Sequence, residues 1–275
     1  MRKLTLLTIA MFVFSVLGVQ LRAQEATLAD RIAALPHVKD VQEMESTQFA
    51  EKYLVIFEQP IDHENPGMGT FTQRVYVCAV HPDSATVVVT EGYGAQYAAS
   101  PRYRDEISAL FNTNNIVVEH RYFLESTPYP GKSPEEVNWD YMNAPNAAAD
   151  LHEVVTALKN VFDGKWISTG ISKGGQTTML YRAYYPEDVD FSVPYVGPLC
   201  RGAQDGRHEP FIENYVGTPA DREAVKNFQI ELLLRKDRLM PMYDSLCKAR
   251  EFEFRAPVDE IYDYSVLEFS FAFWQ

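Results

Sequence analysis

Residues 52–58 and 70–80 alternate apolar with polar positions or run apolar, which predicts two strands. Pro60, Asn65, Pro66, Gly67 and Gly69 lie between them. So many turn formers predict an antiparallel hairpin. The pattern then changes. Residues 86–90, Thr-Val-Val-Val-Thr, form the β-branched run of a strand buried on both faces, and Glu91-Gly92-Tyr93-Gly94 breaks it. A helix is expected around 103–111 and a second buried strand over 116–119. Pro128, Pro130, Gly131 and Pro134 mark an irregular loop. Ala148, Leu151, Val155, Leu158 and Phe162 share one face at helical spacing, which predicts an amphipathic helix. A strand over 166–169, a helix over 173–185 stopped before Pro186, and a strand over 191–196 follow.

Two antiparallel strands followed by strand–helix alternation argue for an α/β fold. Its sheet is mostly parallel, with helices on both faces. The character changes after Pro198. Thr218 can cap a helix with Pro219 at its first position and Asp221 near its start. Ala224, Val225, Phe228 and Leu232 give that helix an apolar face, and the aromatic-rich 267–274 reads as helical too. The expected organisation is a sheet core over 24–200 and a helical insertion, or cap, over 201–275. There is no internal repeat, low-complexity tract or long linker.

The first residues read differently. Arg2 and Lys3 precede an uncharged run over 4–19, and Leu21-Arg22-Ala23 offers a small residue at a cleavage point. This is the pattern of an export signal over 1–23, so the protein is expected outside the cytoplasm, in periplasm or medium. An uncleaved anchor is the alternative, but the run is short for a span. The whole chain has 25 bases and 38 acids. Removing Arg2, Lys3 and Arg22 leaves 22 against 38, a net charge of −16. Such a surface repels nucleic acid and anionic membrane, so neither is an expected partner. Of the three cysteines, Cys78 sits in an apolar run as a buried thiol, and Cys200 with Cys247 is the expected bridge. No CxxC is present, so a structural zinc site has no support; no metal and no cofactor are expected.

The chemistry centres on Gly170-Ile171-Ser172-Lys173-Gly174, which fits the G-x-S-x-G elbow of serine hydrolases. A serine on a tight strand-to-helix turn has strained backbone angles, and flanking glycines let the chain pack that closely. The turn aims the hydroxyl at a helix N-terminus, where N–H donors favour an oxyanion. A phosphate loop would need a different Gly and Lys-Ser/Thr spacing. Ser172 is therefore the candidate nucleophile. In this fold the acid and then the histidine follow the serine, yet only His208 does so here, at the start of the helical part. His37, His63 and His81 are read as structural or surface residues, and His120 and His152 as core histidines. With the apolar ending Phe271-Ala272-Phe273-Trp274-Gln275, the expectation is a chain cut inside the cap, with acid and base beyond Gln275 and little activity alone.

Four blocks carry a family resemblance. They are Gln59-Pro60-Ile61-Asp62-His63 with Thr70-Phe71-Thr72-Gln73-Arg74, then Thr90-Glu91-Gly92-Tyr93-Gly94. Glu119-His120-Arg121-Tyr122-Phe123 is the third. Thr169 to Gly175 with Tyr185-Pro186-Glu187-Asp188-Val189 is the fourth. On these the chain resembles the bacterial secreted tripeptidyl aminopeptidases, a family of serine exopeptidases, and more distantly the lysosomal Pro-X carboxypeptidases. The resemblance implies an α/β-hydrolase core with a helical cap, and an exopeptidase that releases short peptides from free N-termini of peptide substrates. It makes the segment from Glu91 to Gly94 the oxyanion loop, with the backbone N–H groups of Lys173 and Tyr93 as donors. Two roles fit Glu91: a carboxylate for the substrate α-amino group, or a strand-end partner for Arg121. Glu119, His120 and Arg121 read as support for the same floor. The competing functions are an esterase or lipase, and a non-catalytic binding protein on a hydrolase scaffold.

Overall fold

The computed structural model describes residues 26–202 and 204–274, so the export signal read over 1–23 lies outside the described residues. These residues fall into two compact units, one ending at Leu199 and one starting at Cys200.

The first unit is built on a seven-stranded sheet. A short helix, α1 (Leu28–Ala33), opens on a capping box between Thr27 and Asp30. Then come β1 (Val38–Glu43), β2 (Glu51–Pro60) and β3 (Thr70–Ala79). The last two form the expected hairpin, in register from Glu51 opposite Ala79 to Pro60 opposite Thr70. After it come β4 (Thr86–Thr90), α2 (Glu106–Phe111), β5 (Asn114–Val118), α3 (Ala144–Leu158), β6 (Trp166–Ile171), α4 (Lys173–Tyr184) and β7 (Phe191–Tyr195). Across the sheet the order is β1-β2-β3-β5-β4-β6-β7. The first three pairings are antiparallel, and β5, β4, β6 and β7 run parallel. Leaving aside β1, this is the order and polarity of an α/β-hydrolase sheet.

Every residue of β4 and β5 is buried, as the β-branched run predicts for a strand covered on both faces. On one face Val55, Phe57, Val75, Val88 and Ile116 pack with Leu151, Val155 and Leu158 of α3. Phe162 joins that core from beyond the helix end, since α3 stops at Leu158. On the other face Tyr76, Val87, Val89, Ile107 and Val117 form a smaller cluster. The helix expected from 103 begins at Glu106, where the Asp105 carboxylate accepts the Ile107 and Ser108 N–H groups.

The second unit is helical: α5 (His208–Asn214), α6 (Pro219–Leu234), α7 (Lys236–Ala249), α8 (Val258–Leu267) and α9 (Phe269–Phe273). Thr218 caps α6 with Pro219 at its first position and Asp221 closing a capping box. The expected bridge does not form: Cys200 and Cys247 are both free, because Cys247 is buried within α7 while Cys200 is exposed. Cys78 is a buried free thiol, pushed up to about 12 by burial. Among the described residues no helix is long and apolar enough to cross a membrane.

Candidate active site

Ser172 is the single residue between β6 and α4. Its backbone has φ 58° and ψ −118°, a left-handed conformation that non-glycine residues avoid. The turn is held on two sides: the Ser172 N–H donates to the Tyr195 carbonyl at 3.0 Å, and the Ser172 carbonyl accepts from the Gln176 N–H at 2.9 Å. Thr90, at the end of β4, places its hydroxyl 2.7 Å from that of Thr178 and donates to the Gly174 carbonyl at 3.2 Å. Gly170 is needed because a Cβ there would lie 2.4 Å from the backbone of Gly174. The outcome is an exposed serine at the head of a helix buried against the sheet.

The loop beyond β4, residues 91–95, lies against that helix head. A Cβ on Gly92 would stand 2.6 Å from Cγ of Lys173 and 2.8 Å from its backbone carbon, so only glycine allows the approach. The Lys173 ammonium donates to the Gly92 carbonyl. It also lies 4.9 Å from the ring centre of Tyr93 and 5.0 Å from that of Phe123. Burial lowers the Lys173 pKa. The His120 N–H donates to the Tyr93 carbonyl at 3.1 Å. Neither the Tyr93 N–H nor the Lys173 N–H donates a hydrogen bond among the described residues. For Lys173 this follows from its place in the first turn of α4, where N–H groups have no partner within the helix.

Burial also raises the Glu91 carboxyl above the usual carboxylate range, opposed by hydrogen bonds from the Tyr97 hydroxyl and the Gly92 N–H. The alternative reading of Glu91, as the partner of Arg121, is corrected here. Arg121 is fully buried and bidentate on Asp150, with Nε to Oδ2 at 2.7 Å and Nη2 to Oδ1 at 2.8 Å. Its remaining protons go to the carbonyls of Pro60, Ile61 and Tyr141. Asp150 sits on α3, and the pair ties that helix to the hairpin end rather than to β4.

With the elbow and its neighbouring loop in place, the comparison with known families is decisive: the PS-10 peptidase S37 profile matches residues 22–275. The chain belongs to this family. The S37 chain is 34% identical over 257 residues to the prolyl tri/tetrapeptidyl aminopeptidase of Streptomyces mobaraensis, covering 92% of itself and 51% of that protein. It is 26% identical over 145 residues to the probable serine protease EDA2 of Arabidopsis thaliana, covering 47% of itself and 29% of that protein. It thus spans about half the length of the first relative and under a third of the second. Among solved structures it is similar to acetyl xylan esterase 1 from Thermoanaerobacterium sp. JW/SL YS485, at 12% identity and TM-score 0.42, over 86% of this chain and 69% of that one. It is also similar to the esterase LipA from Xanthomonas oryzae, at 13% identity and TM-score 0.39, over 67% and 54%.

The histidines of the S37 chain are placed as follows. His63 Nε2 lies 2.7 Å from Asp150 Oδ1, and His152 Nδ1 lies 2.7 Å from Asp188 Oδ2 while stacking on Tyr185. His81 is beside Asp83, and the His37 carbonyl accepts from Glu58. His120 turns Nδ1 to the Arg121 carbonyl at 2.8 Å; burial and the Lys173 charge push its imidazole down to about 4. None of these shares a described hydrogen bond with Ser172. His208 is the first residue of α5, in the second unit. Two roles escaped sequence reading, those of Asp150 and of the Lys173 side chain. Both depend on partners that the topology brings together from distant segments.

Proposed function

We propose that this protein is an exported serine exopeptidase that releases short peptides, tripeptides foremost, from free N-termini through an acyl-enzyme on Ser172. The backbone of Ser172 carries the reading. A φ of 58° on a serine is strained, and it puts an exposed hydroxyl at the N-terminus of α4. In the reaction Oγ gives its proton to a general base as it attacks the scissile carbonyl. The oxygen that becomes negative turns toward the N–H groups of Lys173 and Tyr93, and the C–N bond then breaks as that proton passes to the leaving amine. A preorganised donor of this kind is typically worth about 3 kcal/mol in the transition state. Glu91 is the candidate to receive the substrate ammonium, since a charged end group needs a carboxylate partner where water is excluded. Similarity to the prolyl tri/tetrapeptidyl aminopeptidase of Streptomyces mobaraensis supports the substrate class, and residues 1–23 support export.

The test is covalent. A fluorophosphonate should attach to Ser172, and Ser172→Ala should abolish both label and peptidase activity. Mass spectrometry placing the label on another serine, or finding none on active protein, would overturn the assignment. Equal cleavage of free and N-acetylated peptides would overturn the exopeptidase reading.

A further inference from the structure

A trans peptide is planar, so its C=O and N–H point in opposite directions. The Gly92 carbonyl and the Tyr93 N–H belong to one such peptide, and there are no cis bonds among the described residues. The Lys173 ammonium donates to that carbonyl. No other described hydrogen bond reaches either end of this peptide. The rings of Tyr93 and Phe123 stand 4.9 and 5.0 Å from the ammonium and attract it to this position. Those rings meet edge to face with centres 5.4 Å apart. Beyond the peptide, the loop is pinned by the His120 N–H on the Tyr93 carbonyl at 3.1 Å and by the Glu119 carboxylate on the Ala95 N–H at 2.9 Å.

The side chain of Lys173 therefore grips, from behind, the peptide whose N–H is an oxyanion donor in the proposed reaction. A cation on the carbonyl also draws electron density out of the amide and makes its N–H a stronger donor. We propose that Lys173 acts twice: its backbone N–H is one donor, and its ammonium is the positioning group that aims and polarises the other, the Tyr93 N–H. The helix head and the 91–95 loop come from different crossovers of the sheet, and one residue couples them. This rests on the reading of Ser172 as nucleophile.

The experiment compares the protein with Lys173→Met, which keeps length and removes charge, and Lys173→Arg, which keeps charge. With a peptide substrate, Lys173→Met should lower kcat by about 10- to 100-fold, because a misaimed donor is lost in part. KM should stay within about twofold, since the donor acts on charge that develops only in the transition state. Lys173→Arg should recover part of kcat. Hydrogen exchange provides a readout free of chemistry. In Lys173→Met the amides of Ala95 and His120 should exchange at least about tenfold faster, while the central strands β4 and β5 keep their protection. Unchanged exchange at Ala95 and His120 overturns the proposal. So does a loss confined to KM. If the wild-type protein takes no label at Ser172, the nucleophile reading fails, and the exchange result alone decides whether Lys173 holds the loop.

Discussion

The Ala95 N–H donates to the buried carboxylate of Glu119 at 2.9 Å, so the loop beyond β4 hangs from the end of β5. The other oxygen of that carboxylate accepts the Ser126 hydroxyl at 2.8 Å. One side chain thereby spaces the two loops that carry Tyr93 and Phe123. Glu119→Gln keeps the size but removes the charge, and with its oxygen on the Ala95 N–H its amide NH2 must meet a Ser126 hydroxyl that already accepts the Arg74 N–H. It should cost about 2 kcal/mol, the usual scale for hydrogen bonds to a buried charged group, read as a lower urea midpoint at constant m-value. An unchanged midpoint would remove Glu119 from this role.

Asp150 and Glu91 should separate cleanly. Asp150→Ala leaves the fully buried Arg121 without its carboxylate and should cost about 3–5 kcal/mol in unfolding free energy. Glu91→Gln should change stability by under about 1 kcal/mol, because Arg121 does not depend on it. In the proposed function, Glu91→Gln should weaken cleavage of peptides with a free α-amine far more than hydrolysis of a small activated ester. Equal losses on both substrates would assign Glu91 to the scaffold instead.

Gly170→Ala places a methyl 2.4 Å from the Gly174 backbone, and backbone cannot step aside as a side-chain end can. The head of α4 must shift, at about 1–3 kcal/mol, and labelling of Ser172 should slow with it. Gly206→Ala is the control. A Cβ there meets nothing within 4 Å. Its melting temperature should match the parent, and a matched result for Gly170→Ala would refute the packing argument.

His120 gives stability a pH dependence of known sign. Its pKa falls from 6.5 to about 4 in the fold. The unfolded chain therefore takes up a proton near pH 6.5 that the folded protein refuses. The contribution is absent above that pH, and stability declines as the pH drops toward 4, by on the order of 2 kcal/mol after allowing for partial exposure. Denaturation of His120→Gln over this range should show a shallower decline. An identical slope in the two proteins would contradict the assignment.

The sequence exposed the sheet where burial leaves a mark on composition. The all-β-branched Thr86–Thr90 could only be a strand covered on both faces, and the glycines around Ser172 announced a turn too tight for side chains. It concealed β1, because Val38–Glu43 carries two apolar residues among polar ones and none of the six is buried. The site was legible as a motif and illegible as a set of contacts. Glu91 and Arg121 each end a neighbouring segment, which suggested a pair. Yet Arg121 is claimed by Asp150, 29 residues further on. Nothing in local spacing points from Lys173 to the Gly92 carbonyl 81 residues earlier. The bridge expected between Cys200 and Cys247 failed for a similar reason: an even pairing is arithmetic, whereas burial of Cys247 in α7 is packing.

Among the described residues β7 is the outer strand of the sheet, and it is an unusual one to leave outside. Phe191 is 60% exposed and Val193 36%, so the free edge is apolar as well as unpaired. Such an edge offers both a ladder of backbone groups and a greasy flank to any other extended segment. Pro194 interrupts it by removing one donor from the row. In concentrated solution a chain in which this strand stays uncovered should therefore self-associate through it, with a lag and a concentration dependence.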